Sequence, residues 1–385
     1  MINPGGWPGR LADELTASGD LTDDWREAFL SVPRHAFIPE VIWREDGKTL
    51  VPFRRADDPE GWLRLAYGPE AVVTQVDDGN PVVPGMRGQI ISSSASRPDV
   101  VARMLAALAA EPGMTVCEIG TGTGYNAALL AARLDGGNVT TIEVDPELAA
   151  RARRALTATG YDVTTVTGDG AVGHPPRAPY DRIIATASVQ RVPYPWIAQT
   201  RPGGRVITPW GNAYHNGALL SLSVADDGTA LGGIVGDVAF MWLRAQRVPR
   251  ASFDDARCDD GTAAVTHTDL HPYHVAGDYD ASLAISLRVA DCANIYCPVD
   301  GRCDEYRVAF VDPWSDSWAA VYYRPGAEEY PVHQAGPRHL WDEVETAYRW
   351  WLGAGRPKAD RWRFSVTPDE QLVWLDDPGT LGPFP

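Results

Sequence analysis

The chain has 385 residues, 44% of them apolar and 9% aromatic, enough to bury the cores of two or three domains. Its formal net charge of −17, from 34 Lys and Arg against 51 Asp and Glu, argues against a nucleic-acid partner, which needs a basic surface to meet phosphates. No window approaches the roughly 18 apolar residues of a membrane span and the opening residues lack the basic-then-apolar plan of a signal peptide, so a cytoplasmic protein is expected; a monomer or weak dimer is expected as well.

Along the chain three textures follow one another. Residues 1–85 combine one helix, near 11–30, with turn-rich sequence holding Pro33, Pro39, Pro52, Pro59, Pro69, Pro81 and Pro84. This segment reads as a lid or substrate-proximal preface. Residues 86–245 are the central unit, regular from about Pro98 to Val224, where short β-branched runs alternate with Ala/Leu/Arg-rich helical stretches, the pattern of βαβ units on a parallel sheet. Strands are predicted at 115–119, 138–144, 163–167, 181–186 and 204–209, with helices at 125–134 and 146–159, and an antiparallel closing pair at 217–224 and 232–241. From 246 to 385 the alternation stops and half of the fourteen tryptophans appear: Trp314, Trp318, Trp341, Trp350, Trp351, Trp362 and Trp374. This reads as a separate α+β accessory module for peptide recognition, its tryptophans either lining a peptide-gripping surface or, the better reading for any single one, packed in a core.

The strongest motif is VCEIGTGTGYNAALL, residues 116–130, an apolar strand followed by Gly120, Gly122 and Gly124 and then a helix. Glycine lets the chain turn sharply and lets a ligand approach the backbone. Glu143 ends the next strand, 23 residues after Gly120, where a carboxylate can accept from both ribose hydroxyls. Asp169, in TGDGAVG, is placed to accept from an adenine amino group. The G-x-G-x-G spacing, with no phosphate-binding lysine behind it, suits a phosphate-free nucleoside better than a dinucleotide or ATP. S-adenosylmethionine fits, leaving S-adenosylhomocysteine as product.

The five cysteines are expected to be reduced. The spacing of Cys292, Cys297 and Cys303, with Cys258, could be stretched into a zinc site but lacks C-x2-C knuckles. No metal is assigned.

VCEIGTGTGY, IEVDPEL at 142–148, GDG at 168–170, YDRIIATAS at 180–188 and SVPRHAFIPE at 31–40 together resemble the protein-L-isoaspartate O-methyltransferase family over roughly residues 10–240. The resemblance implies a Rossmann-like class I methyltransferase, an α/β fold with a doubly wound, mostly parallel sheet. It implies that Glu118, Gly120, Thr121, Gly122, Gly124 and Tyr125 surround the methionine end of the cofactor, Glu143 and Val144 the ribose, and Asp169 and Gly170 the adenine. The family's G-Q-T-I-S-x-P segment, whose serine lies beside the acceptor carboxylate, corresponds to GQIISSSASRP at 88–98, four residues longer. Ser96 matches from the following helix, Ser92 from the leading Gly-Gln, and Ser94 lies between; a run of serines could also serve only as a turn and helix cap. Arg34 and His35 are candidates for pairing with the substrate, although packing explains His35 equally well.

The serine-rich variant and the C-terminal addition also resemble a subgroup associated with ribosomally synthesised, modified peptides in lanthipeptide and graspetide pathways. That resemblance implies a precursor peptide as substrate and an aspartate side chain as acceptor, whose ester can close to an aspartimide and reopen to aspartate or isoaspartate. The alternative is protein-L-isoaspartate (D-aspartate) O-methylation in protein repair. A silent cofactor-binding scaffold is a third reading, disfavoured by the intact glycine loop, Glu143 and Asp169.

Overall fold

The computed structural model describes residues 6–47, 49–80, 87–248, 263–299 and 302–376. The N-terminal part starts with two helices, α1 (Trp7–Ala17) and α2 (Asp23–Ser31), not the single helix expected. Gly19, at φ +82°, takes the left-handed conformation that ends the first helix and turns the chain. The proline-rich stretch beyond is a sheet, not a string of turns: β1 (Val41–Asp46), β2 (Thr49–Arg54), helix α3 (Pro59–Ala66), β3 (Val72–Val76) and β4 (Ile91–Ala95) form an antiparallel sheet in the order β2-β1-β3-β4. Pro52 sits in β2 at the edge, where a missing N–H costs no ladder bond. Helix α4 (Pro98–Leu108) leads from β4 into the central unit.

There the elements follow the predicted alternation: β5 (Val116–Ile119), α5 (Tyr125–Leu134), β6 (Val139–Glu143), α6 (Pro146–Ala158), β7 (Thr164–Thr167), β8 (Tyr180–Ala185), α7 (Tyr194–Ala198), β9 (Thr200–Gly211), β10 (Asn216–Val224) and β11 (Ala230–Asp237). Beyond them come β12 (Ala264–Thr268), α8 (Pro272–Gly277), α9 (Tyr279–Ser286), β13 (Ala293–Val299), β14 (Arg302–Val311), β15 (Trp318–Tyr323), β16 (Tyr330–Ala335), α10 (Leu340–Gly353), β17 (Trp362–Val366) and β18 (Gln371–Leu375).

The large sheet has nine strands in the order β18-β17-β11-β10-β9-β8-β5-β6-β7. Strands β7, β6, β5, β8 and β9 are parallel neighbours, whereas every pair from β9 out to β18 is antiparallel. The fold is the expected class I α/β type, but its sheet is mixed, because β17 and β18 extend the antiparallel half. Strand β5 lies between β6 and β8, so chain order reverses there; in open α/β sheets the crevice at such a switch point is where ligands bind.

The C-terminal region is an additional β-rich domain that is also tied into the large sheet. Strands β12 to β16 make their own antiparallel sheet in the order β12-β16-β15-β14-β13, yet β17 pairs with β11, with Ala230 opposite Val366 and Gly233 opposite Arg363. One hydrophobic core runs through both regions: Trp210 meets Phe364 edge-on at 5.4 Å, and Tyr214 stacks on Phe310. Of the C-terminal tryptophans, Trp318, Trp341, Trp351 and Trp362 are buried in cores, Trp350 and Trp374 are half-buried, and Trp314 is 68% exposed. Among the described residues no group of His, Cys, Asp or Glu could hold a metal ion; Cys292 is buried, Cys297 half-buried, and Cys258 and the Cys303 side chain lie outside the described residues. No helix among them is long and apolar enough to cross a membrane.

Candidate functional site

A cavity of about 360 Å³ opens at the carboxyl ends of β5 and β6. On one wall the chain leaves β5 through Gly120, at φ +93°, and Gly122, at φ +53°. A Cβ on Gly120 would come within 2.9 Å of the Thr186 hydroxyl, which donates to the Gly120 carbonyl at 2.5 Å. Glycine is therefore required there both by conformation and by space. Gly124, at φ +89°, has a different duty. It is not among the residues lining the cavity, and a Cβ there would press on Ala152 of α6 at 3.2 Å, so it permits close helix packing.

Glu143, 7% exposed at the end of β6, accepts from the Gly122 N–H at 2.8 Å and, through its other oxygen, from the Asp145 N–H at 3.1 Å. Burial raises its carboxyl above the usual range. Each oxygen keeps a lone pair for a hydroxyl donor. Glu118, fully buried on β5, accepts from Asn126 at 2.7 Å and Thr141 at 2.5 Å; burial outweighs those bonds and pushes its carboxyl up to about 7. Thr121 shares a 2.6 Å hydrogen bond with Thr141. Asp169 is exposed and uses one oxygen to cap the turn at 170–172, accepting from the Ala171 N–H at 2.9 Å. Gly170 packs so tightly that a Cβ would meet Ile119 at 2.5 Å. Val144 and Tyr125 also line this wall.

The opposite wall is β4 and what supports it. Ser92, Ser93 and Ser94 lie in strand β4 and Ser96 just beyond its end, and helix α4 is preceded by Arg97, so none of them caps it. Ser92 is committed: its hydroxyl donates to Gln75 at 2.9 Å and accepts from the Asp78 N–H at 3.0 Å. Ser93, buried, accepts from Thr74. The half-buried hydroxyls of Ser94 and Ser96 line the cavity and have no hydrogen bond among the described residues.

Arg34, fully buried, also lines the cavity; its Nε donates to the Ala66 carbonyl at 2.7 Å and its Nη2 to the Ser96 carbonyl at 2.8 Å. His35 does not. Its Nδ1 lies 2.7 Å from the Tyr67 hydroxyl, and burial lowers its pKa, which is the packing arrangement that the sequence equally allowed.

Several cavity residues escaped sequence reading. Asn126, on the first turn of α5, holds Glu118, and its place inside the glycine motif could have marked it. Phe240, Met241, Trp242, Leu243, Arg244 and Arg247 form a lip, tethered where Ser188 exchanges hydrogen bonds with Met241 and Leu243, each at 2.8 Å. Arg247 grips Asp78 through two bonds of 2.6 and 2.7 Å, and Arg244 reaches Asp78 at 3.2 Å and Asp145 at 3.5 Å. No local motif announces such a lip, since its partners lie more than 50 residues away.

These residues fit a phosphate-free, cationic nucleoside. The backbone at Gly120 and Gly122 is bare, a buried carboxylate faces the place for paired hydroxyls, and no cation on the glycine-loop wall awaits a phosphate.

The comparisons with known proteins agree. The family model described as protein-L-isoaspartate(D-aspartate) O-methyltransferase matches residues 69–247. A protein-L-isoaspartate O-methyltransferase of Pyrococcus horikoshii is 41% identical over 236 residues, covering 61% of this chain and 91% of that relative. One of Methanopyrus kandleri is 37% identical over 223 residues, covering 57% and 83%. The solved structure of a protein-L-isoaspartate O-methyltransferase aligns over 96% of this chain and 100% of its own with a TM-score of 0.55; at 21% identity that likeness concerns the fold. With the switch-point cavity, the glycine loop and relatives matched over most of their length, the chain belongs to the protein-L-isoaspartate O-methyltransferase family, enzymes that methylate carboxylates with S-adenosylmethionine.

Proposed function

We propose that this enzyme esterifies the free carboxylate of isoaspartyl residues in peptides and proteins. The observation that carries the reading is that one cavity joins the glycine-loop wall to two uncommitted hydroxyls, Ser94 and Ser96. An acceptor carboxylate with an ordinary pKa of about 4 is ionised at neutral pH, so no general base is needed. When bound, S-adenosylmethionine supplies an electrophilic methyl group on a sulfonium. Glu143 would hold its ribose hydroxyls, Asp169 and Gly170 its adenine, and Gly120 to Gly122 its methionine end beside Glu118 and Thr121. A hydroxyl from Ser94 or Ser96 donates to one carboxylate oxygen and leaves the other free to attack. The lip of Phe240 to Leu243 excludes water, so the work of the chain is alignment and desolvation.

A dedicated ribosomal precursor peptide with an aspartyl acceptor is the second reading, favoured by the serine-rich β4. The C-terminal region does not separate the two, because the solved isoaspartate methyltransferase aligns with 96% of this chain. The curated relatives favour the isoaspartyl acceptor. Labelled methyl donor offered with isoaspartyl, aspartyl and aspartimide forms of one peptide decides: incorporation into the isoaspartyl form alone supports the proposal, and incorporation into the aspartyl form alone overturns it.

A further inference from the structure

The cavity contains four arginines, and three are matched by acids. Arg97 pairs with Asp99 through bonds of 3.1 and 3.0 Å, Arg244 with Asp78 and Asp145, and Arg247 with Asp78. Arg34 differs. It is fully buried, and among the described residues no carboxylate comes within the 4.0 Å of an ion pair. Its partners are the neutral carbonyls of Ala66, Ser96 and, at 3.4 Å, Ala95, with its guanidinium 4.9 Å from the Tyr125 ring centre. Its remaining nitrogen, Nη1, is shut off from solvent and meets no acceptor.

A buried charge without a counter-ion costs several kcal/mol. Carbonyl dipoles and an aromatic face offset part of that but leave the net charge in place. The charge sits directly behind the strand end that carries Ser94 and Ser96.

We propose that Arg34 is the fixed counter-charge for the acceptor carboxylate: a positioning residue that pins the end of β4 and makes the cavity prefer an anion to a neutral group. The inference rests on the carboxylate-methylation reading above. It acts through the field and through the strand, since Nη1 is closed to direct contact. It also gives turnover a direction. The ionised acceptor is drawn in, transfer of the methyl group to its oxygen yields a neutral ester, and the product no longer feels the attraction.

The test compares one isoaspartyl peptide with the same peptide whose free carboxylate is replaced by a carboxamide. Affinities are measured by calorimetry in the presence of S-adenosylhomocysteine, for wild type, Arg34→Lys and Arg34→Met. Wild type should bind the acid roughly tenfold more tightly than the amide, the order of effect of a unit charge across a partly screened interior. Arg34→Lys should keep most of that preference, and Arg34→Met should bind both peptides alike while its S-adenosylhomocysteine affinity stays within about twofold. A merely structural role would weaken both peptides together and leave the ratio unchanged, which overturns the inference. Should Arg34→Met fail to fold, Arg34→Lys decides: parity between acid and amide there removes the charge role. A wild type that methylates the isoaspartyl peptide yet shows no preference sinks the counter-charge and leaves the function standing, whereas a wild type that methylates no isoaspartyl peptide overturns both.

Discussion

One wall of the cavity is built from two consecutive strand–loop–helix units, so Gly120, Gly122 and Glu143 reach each other across 23 residues of chain and are locked by backbone hydrogen bonds. The other wall is assembled from pieces far apart: Arg34, strand β4, and the lip at 240–247, joined by side chains such as Arg247 to Asp78, 169 residues away. The first wall is stiff and carries buried carboxylates; the second is held by an arginine fork and an ionic clasp and carries hydroxyls. This division suits a two-substrate enzyme, in which one wall keeps a constant donor and the other admits variable peptides. It also predicts that damage to the two walls will be separable.

The largest contrast should appear with pH. Burial pushes Glu118 up to about 7 from the ordinary carboxylate value of 4.5. A carboxyl that holds its proton more firmly when folded contributes stability that is fully present below pH 4.5 and lost as pH rises through 7. Relative to Glu118→Gln, the wild-type chain should therefore lose about 3 kcal/mol of unfolding free energy across that window, the equivalent of about two and a half pK units. Parallel pH curves for the two proteins in denaturant titrations would show that the donor wall is not desolvated as described.

Next in size is Glu143→Ala, which leaves the Gly122 and Asp145 N–H groups unmatched and, in the proposed binding mode, the ribose hydroxyls too. Donor affinity by calorimetry should fall by about 1–3 kcal/mol. An unchanged value would detach this carboxylate from the ribose.

On the opposite wall, Ser94→Ala and Ser96→Ala should leave donor affinity intact. The one whose hydroxyl meets the carboxylate should slow turnover by about 1.5–3 kcal/mol, the worth of a hydrogen bond to a charged group. Ser92→Ala should instead lower stability, by about 1 kcal/mol, through its bonds to Gln75 and Asp78. If Ser92→Ala alone slows turnover, the committed and free serines have been assigned the wrong way round.

The smallest effect is expected at the clasp. Arg247 and Asp78 are both more than a third exposed, so Arg247→Ala should change stability by less than about 1 kcal/mol and that only at low salt. A loss of several kcal/mol, or one insensitive to salt, would mean that the second wall is as rigid as the first.

How far these features could be read in advance follows the same division. The elements from β5 to β11 match their predicted spans closely, since strand alternation, helix-forming runs and capping residues such as Asp145 act over a few neighbours. The turn-rich reading of residues 31–85 missed a sheet, because strands β1 and β3 are stabilised by pairing with each other and not by their own pattern. The tryptophans beyond 246 were open to either a peptide-gripping face or a core, with core the better reading for any one of them, and four of the seven are buried in cores.

The sequence by itself determined the glycine-loop wall, since a glycine loop, a following helix and an acid at the next strand end are placed by local geometry that admits few alternatives. Tertiary structure alone decided which serines are free, that Arg34 and not His35 borders the cavity, that Gly124 packs on α6, and that β17 joins β11. Each of these depends on which distant surface a side chain or strand edge meets. Hydrophobic periodicity marks which face of an element is buried, but not which remote segment covers it.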